Sequence, residues 1–420
     1  MLVNSFSLFG QQSTVQDNFP KYFDEIQDVT KKNQDLWNYD IYAPVLLVNP
    51  ATREIFANFP DSASTLKKAG TIYTGILPKE INIANTHLYW NGVDWAMAML
   101  PLPTDKNERL NLLTHELFHR AQPHLGFVFN EIANNHLDKI DGRIYLRLEL
   151  EALKAALTAK SKDDMRYNVM NALVFRKYRY NLYPNAERSE NQMEMNEGLA
   201  EFTGVMMSER KPREMQEHFI KNLDKFILSS SFVRYFAYQT IPIYGYLLHF
   251  IDKGWNKKIN TSTNLTEFFI VDFNISIPDS LGKAIGQIAP LYGGQKIIDE
   301  EILREKKLEQ LIAEYKAEFI THPHLDIPLQ KMGISFDPRN ITPLEDKGSV
   351  YTTIRVTDVW GILTVAKSAL VSQNWNKITV TAPTQFNGST IQGAGWTLEL
   401  KKGYSVQKDE TSGNFILKKQ

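Results

Sequence analysis

The first hundred residues alternate short apolar runs with turn residues. Asp24 to Trp37 spaces its apolar positions as an amphipathic helix. Pro44 to Pro50 (PVLLVNP) is a continuous apolar run closed by proline and predicts a buried strand, with Arg53 to Ala57 as its partner. Thr86–Trp90 and Val93–Met97 alternate on either side of Asn91-Gly92, the dipeptide that suits a two-residue hairpin turn. The second of these strands continues through Ala98 toward Pro101 and Pro103, and prolines there mark an exposed edge. Ala96, Met97 and Ala98 are therefore expected to offer free backbone groups to an extended peptide, unless the prolines only blunt the edge against aggregation.

From Thr104 the period changes to that of helices. Thr104 or Asp105 can cap a helix whose apolar face is Leu110, Leu113, Leu117 and Phe118. Asn134 to Arg143 is polar and reads as a turn with a helix cap at Asp141, a lining of the cleft being the alternative. Arg143–Lys160, Asp163–Asn181, Glu187–Glu209, Arg213–Phe226 and Ser231–Lys253 then run for several turns each. A polar loop at 256–264 and shorter helices lead to Ile298–Phe319, rich in Glu and Lys as a solvated face would be. Beyond it the pattern alternates again. Tyr351–Val356, Gly361–Val365, Lys377–Thr381 and Trp396–Leu400 read as strands separated by Gly, Asn and Ser. The expected fold is α+β. A domain over 21–345 divides into a sheet-containing lobe (21–103) and a helical lobe (104–345). A small all-β domain, 346–420, follows as a sandwich.

Composition narrows the chemistry. At 420 residues with net charge −1, the chain has no electrostatic footprint for nucleic acid. No apolar run reaches the length of a membrane span. Without cysteine, a metal must be held by His, Asp or Glu. Met1 to Gln12 reads as the tail of a secretory apolar segment without its basic start, as in a secreted or periplasmic protein. The competing reading of residues 1–20 is a frayed tail on a cytoplasmic protein.

Within the Leu110–Phe118 helix stands His115-Glu116-Leu-Phe-His119. Histidines four apart lie one turn from each other, so both imidazoles can reach one ion, and Glu116 leaves the helix where it can take a proton from a water on that ion. A catalytic zinc takes three protein ligands and keeps a position for water. The third is expected from Met193-Glu-Met-Asn-Glu197-Gly-Leu-Ala-Glu201-Phe-Thr-Gly204. There Glu197 can ligate, and Glu201, one turn on, can hydrogen-bond a ligand histidine. Gly198, Ala200 and Gly204 would let this helix approach another closely. Glycine inside a helix costs about 1 kcal/mol relative to alanine, so a purely solvated acidic helix is a poor account of it.

His115-Glu-Leu-Phe-His119 followed by Asn196-Glu197-Gly-Leu-Ala-Glu201 resembles the gluzincin branch of the zincin metallopeptidases. The resemblance covers two helices. It implies Zn2+ held by His115, His119 and Glu197, with Glu116 as general base and Glu201 as the acid behind a ligand. It also implies a peptide or protein substrate. In gluzincins a later tyrosine or histidine often steadies the oxyanion; here Tyr238 and Tyr244 are the candidates, with Pro242 breaking the helix between them. The long interval from His119 to Glu197 implies that a helical pair near 141–181 loops out. A catalytically silent binding protein on the same scaffold and a zinc hydrolase of a non-peptide amide or ester are the alternatives to a peptidase.

Overall fold

The computed structural model describes residues 18–129, 132–336 and 341–419, so most of the amino-terminal segment weighed as a leader lies outside the described residues. The fold is α+β. The chain forms two compact units, one running through Leu228 and resuming over Tyr235–Gly294, the other made of Ser229–Arg234 and the chain from Gln295 onward. No helix among the described residues is long and apolar enough to cross a membrane.

The first unit opens with helix α1 (Phe19–Lys32) and a mixed six-stranded sheet. Its strands are β1 (Val45–Val48), β2 (Glu54–Ala57), β3 (Lys67–Ala69), β4 (Ile72–Ile76), β5 (Thr86–Trp90) and β6 (Val93–Met99), in the order β3-β4-β2-β1-β6-β5. β1 is wholly apolar because both faces of the sheet are covered. Leu47, Ala96 and Ala98 join a core with Phe23 of α1 and with Leu110, Leu113 and Leu117; Leu46, Trp95 and Met97 pack into a second core on the opposite face. Asn91 and Gly92 both have positive φ, 50° and 74°, as the tight turn between β5 and β6 requires.

This topology corrects one expectation. β6 is an interior strand. Ala96, Met97 and Ala98 pair in parallel with Val45, Leu46 and Leu47, and Ala96 and Met97 pair on their other side with His87 and Thr86. All three are buried and have no backbone to offer a peptide. The prolines gave the wrong signal because both come after Met99, where the strand has ended and no ladder hydrogen bond is at stake. The edge next to β6 is β5.

Helix α2 (Lys106–Ala121) follows, its start fixed by the Asp105 carboxylate, which accepts from the Glu108 N–H at 2.9 Å. A helical hairpin, α3 (Ile140–Leu157) and α4 (Lys162–Leu182), leads to a composite helix. That helix comprises α5 (Ala186–Met193), one π turn (Glu194–Gly198) and α6 (Leu199–Met206). Next come α7 (Pro212–Phe226), α8 (Ala237–His249), α9 (Leu265–Asp272) and α10 (Leu281–Ile288). Pro242 lies inside α8 and does not break it.

In the second unit the strands begin at His324, ahead of residue 346, after helix α11 (Gly294–Lys316). They form a seven-stranded and a six-stranded sheet. Leu325, Ile327, Ile378 and Val380 from one sheet and Val356, Leu363, Trp396 and Leu398 from the other share one buried core, the arrangement of a sandwich.

The β5–β6 hairpin is tied down by Asp61. Its buried carboxylate accepts from the N–H groups of Thr65 (3.1 Å) and Leu66 (2.9 Å), from the Thr65 hydroxyl and from the Asn91 amide (2.9 Å). Burial pushes this carboxyl up, but the donors outweigh it and hold it at about 2. Asp61→Ala should cost about 1–3 kcal/mol in urea denaturation, since it leaves buried donors unpaired. Because the folded value lies below the ordinary value of about 4, the stabilisation is complete above that pH and is lost as pH falls toward 2. Asp61→Asn should therefore show a shallower acid limb than wild type, and identical acid limbs would contradict this account.

Candidate metal centre

His115 and His119 project from the buried side of α2, and the partners of their inner nitrogens fix their tautomers. The Glu201 carboxylate sits 2.9 Å from His115 Nδ1 and can only accept there. The Gln122 carbonyl oxygen sits 2.8 Å from His119 Nδ1 and also accepts, because the amide nitrogen of Gln122 donates to the carbonyls of Met195 and Asn196. Each neutral imidazole thus carries its proton on Nδ1 and presents a bare lone pair on Nε2. The two Nε2 atoms face each other at 3.0 Å.

Glu197 completes the group. Its Oε2 lies 3.3 Å from His119 Nε2 and 3.7 Å from His115 Nε2. Four donors around one ion with bonds near 2.0–2.1 Å would stand about 3.3 Å apart in a tetrahedron. The three separations bracket that value, and His115, His119 and Glu197 form the one cluster among the described residues that could hold a metal ion. In that tautomer the three lone pairs converge with no hydrogen between them and would repel, so this donor set fits a cation. The chemistry of the set does not by itself choose which cation.

Without a cation the charges relax through protons. Burial pushes the His115 imidazole down, but hydrogen bonding to Glu197 and Glu201 outweighs it and raises the imidazole to about 10. Burial likewise pushes the Glu197 carboxyl up, and the two histidines reverse this and hold it well below the carboxylate range. Glu116 is different. It is buried, the desolvation of its carboxyl raises its pKa above the ordinary value, and its Oε2 has no hydrogen-bond partner among the described residues. A carboxylate so placed is a stronger base than an exposed one and has an acceptor to spare.

Behind the ligands the bonding continues. Asn111 donates to Glu201 Oε1 at 3.0 Å, and Arg210 donates to Asn111 Oδ1 at 3.0 Å while pairing with Glu108 at 2.7 Å. The α2 and α6 helices approach so closely here that a Cβ on Gly204 would stand 2.6 Å from the Asn111 carbonyl oxygen.

Of the two candidate tyrosines, the structure brings one to the site. Tyr238 donates its hydroxyl to Glu197 Oε2 and stacks its ring on His115, with centroids 5.3 Å apart. Burial and the neighbouring carboxylate raise its pKa well above the ordinary value, so the phenol keeps its proton. Tyr244 is elsewhere. It is fully buried, donates to Glu149 at 3.0 Å and lies under the Arg176 guanidinium. Six positions along an unbroken helix put it on a different face from Tyr238. The helical pair does not loop out either: α3 and α4 carry Glu149 and Arg176 into the interior beside Glu194.

Gln122 and Asn111 were missed in the sequence. Both lie on the helical face of the histidines, Gln122 three positions after His119 and Asn111 four before His115, and that spacing was a readable signal.

Comparison with known proteins finds no match, whether among family models, curated proteins or solved structures.

Proposed function

We propose that the protein is a zinc-dependent metallopeptidase. The observation that carries this reading is the convergence of three ligand atoms beside a buried Glu116 whose Oε2 has no partner among the described residues. Zinc held by His115, His119 and Glu197 would supply Lewis acidity, making water acidic enough to lose a proton near neutral pH and polarising the scissile carbonyl. Glu116 accepts the proton of the attacking water and returns it to the departing amine, a role suited to a carboxyl whose pKa is raised by burial. Glu201 and Gln122 hold the two imidazoles in the tautomer that exposes Nε2. Tyr238, protonated and beside the donor atoms, is placed to donate to the oxyanion. On this side of the sheet the edge strand among the described residues is β5, not β6, and it would give an extended peptide a ladder to join.

Zinc analysis of protein loaded and then desalted should return about one ion per chain. His115→Ala and Glu197→Ala should each abolish it, and full occupancy in both variants would remove the ligand assignment. Glu116→Gln should keep its zinc while kcat/KM on a quenched peptide library falls by roughly 10²–10⁴; a variant as active as wild type would rule Glu116 out as the base. The two tyrosines should separate. Tyr238→Phe should lower kcat with little change in Tm, and Tyr244→Phe should lower Tm, leaving a buried carboxylate short of a donor at a cost of about 1–3 kcal/mol, with zinc content unchanged.

A further inference from the structure

The helix that carries Glu197 also carries Glu194 and Glu201, and the three carboxylates serve different partners. In a regular α-helix, residues three apart lie on nearly the same face, so Glu194 and Glu197 would point the same way. They do not. Glu197 turns to His115, His119 and Tyr238, while Glu194 is fully buried against Arg176 and Thr240. What separates them is the π turn over Glu194–Gly198, closed by the Leu199 N–H donating to the Glu194 carbonyl. The extra residue in that turn changes the phase of the helix between the two carboxylates.

A π turn is the less stable local choice, and this one is held from two sides. On one side Gln122, already bonded to His119, donates to the carbonyls of Met195 at 3.2 Å and Asn196 at 2.8 Å. On the other, Arg176 grips Glu194 in a bidentate pair at 2.7 and 3.1 Å, and the Thr240 hydroxyl donates to the same carboxylate at 2.6 Å. Arg176 is itself fixed by Glu149 at 2.8 Å. Thr240 and Tyr238 both lie on α8, so one helix touches Glu194 and Glu197 two residues apart. α8 also closes on the turn itself, where a Cβ on Gly198 would stand 2.7 Å from Ile241.

We infer that Arg176 and Thr240 are positioning residues for the metal: they fix Glu194, and Glu194 fixes the π turn that aims Glu197 at the histidine pair. The inference rests on the reading of His115, His119 and Glu197 as ligands. Neither residue touches the ligand atoms; both act through the backbone of the turn.

The test measures metal affinity by competition against a chelator, the visible absorption of the Co2+-loaded protein, which reports ligand geometry, and Tm of the metal-free protein. Thr240→Val keeps the side-chain shape and removes the donor, and should weaken binding about tenfold, within the range seen when supporting groups behind ligands are lost. It should also shift the Co2+ spectrum, and Thr240→Ser should restore both. Glu194→Gln, which keeps size and removes the charge gripped by Arg176, should weaken binding at least as much. Wild-type affinity and spectrum in both Thr240→Val and Glu194→Gln would overturn the inference. So would a loss in Thr240→Val that Thr240→Ser fails to restore, because it would assign the effect to packing. His119→Ala belongs in the same series: if it binds metal as wild type does, the ligand reading itself fails, whereas loss in His119→Ala with no change in Thr240→Val sinks only the positioning role.

Discussion

Everything at this site depends on two helices meeting almost backbone to backbone. At the crossing of α2 and α6, Gly204 leaves no room for even a methyl group above the Asn111 carbonyl. Any larger residue would push α6 away and carry Glu197 and Glu201 with it, since both belong to the same continuous helical run. Glycine in a helix interior costs about 1 kcal/mol of propensity, and the fold accepts that cost here because a carboxylate must reach an imidazole on the neighbouring helix. The distances of 2.9 Å from Glu201 to His115 and 3.3 Å from Glu197 to His119 are consequences of that crossing.

A second constraint sits deeper. Arg176, Arg179, Glu149, Glu190 and Glu194 are all fully buried and bonded to one another, with His136 on Glu190 at 2.7 Å. Taking each ion out of water costs several kcal/mol, so such a network is a weak source of stability, and apolar residues of the same size would fill the space at least as well. What the network adds is geometric definition. Three carboxylates share two guanidiniums, and the imbalance shows at Glu194, where burial pushes the carboxyl up to about 7 against the pull of Arg176. Hydrogen-bonded charges accept far fewer arrangements than methyl groups do, and this set holds α3, α4, α5 and α8 in one register around the turn that bears Glu197.

The local parts of this architecture were legible in the residues. The His115–His119 pair, the cap at Asp105, the Asn91-Gly92 turn and the small residues Gly198 and Gly204 all act within one or two turns of chain, where spacing alone decides geometry. The parts that were not legible depend on residues far apart in sequence. Nothing near β6 announces that Val45–Val48 will pair with it in parallel, so the strand looked like an edge. A π turn has no composition of its own; Glu187–Glu209 reads as one even helix, and the phase change appears only when Glu194 meets Arg176. Tyr244 and Tyr238 looked equivalent because an aromatic stripe on a helix does not say which face meets a ligand and which meets a buried carboxylate.

The same non-local pairing decides how a peptide could approach. With β6 enclosed between β1 and β5, a peptide bound as the proposed function requires would have to join β5, the edge strand of this part of the sheet. Register then assigns the faces. His87 stands opposite Ala96 and Tyr89 opposite Asp94, so both share the face on which Ala96 and Ala98 pack against α2, while Leu88 and Trp90 turn to the other core. His87 and Tyr89 are exposed where the intervening residues are half-buried. On the proposed reading the side chains that would meet a substrate along β5 are His87 and Tyr89, on the face of the sheet against which α2 packs. The hairpin that carries them is anchored at its tip, where the Asn91 amide donates to the buried Asp61 carboxylate, so the turn that sets the register of β5 on β6 is fixed from outside the hairpin.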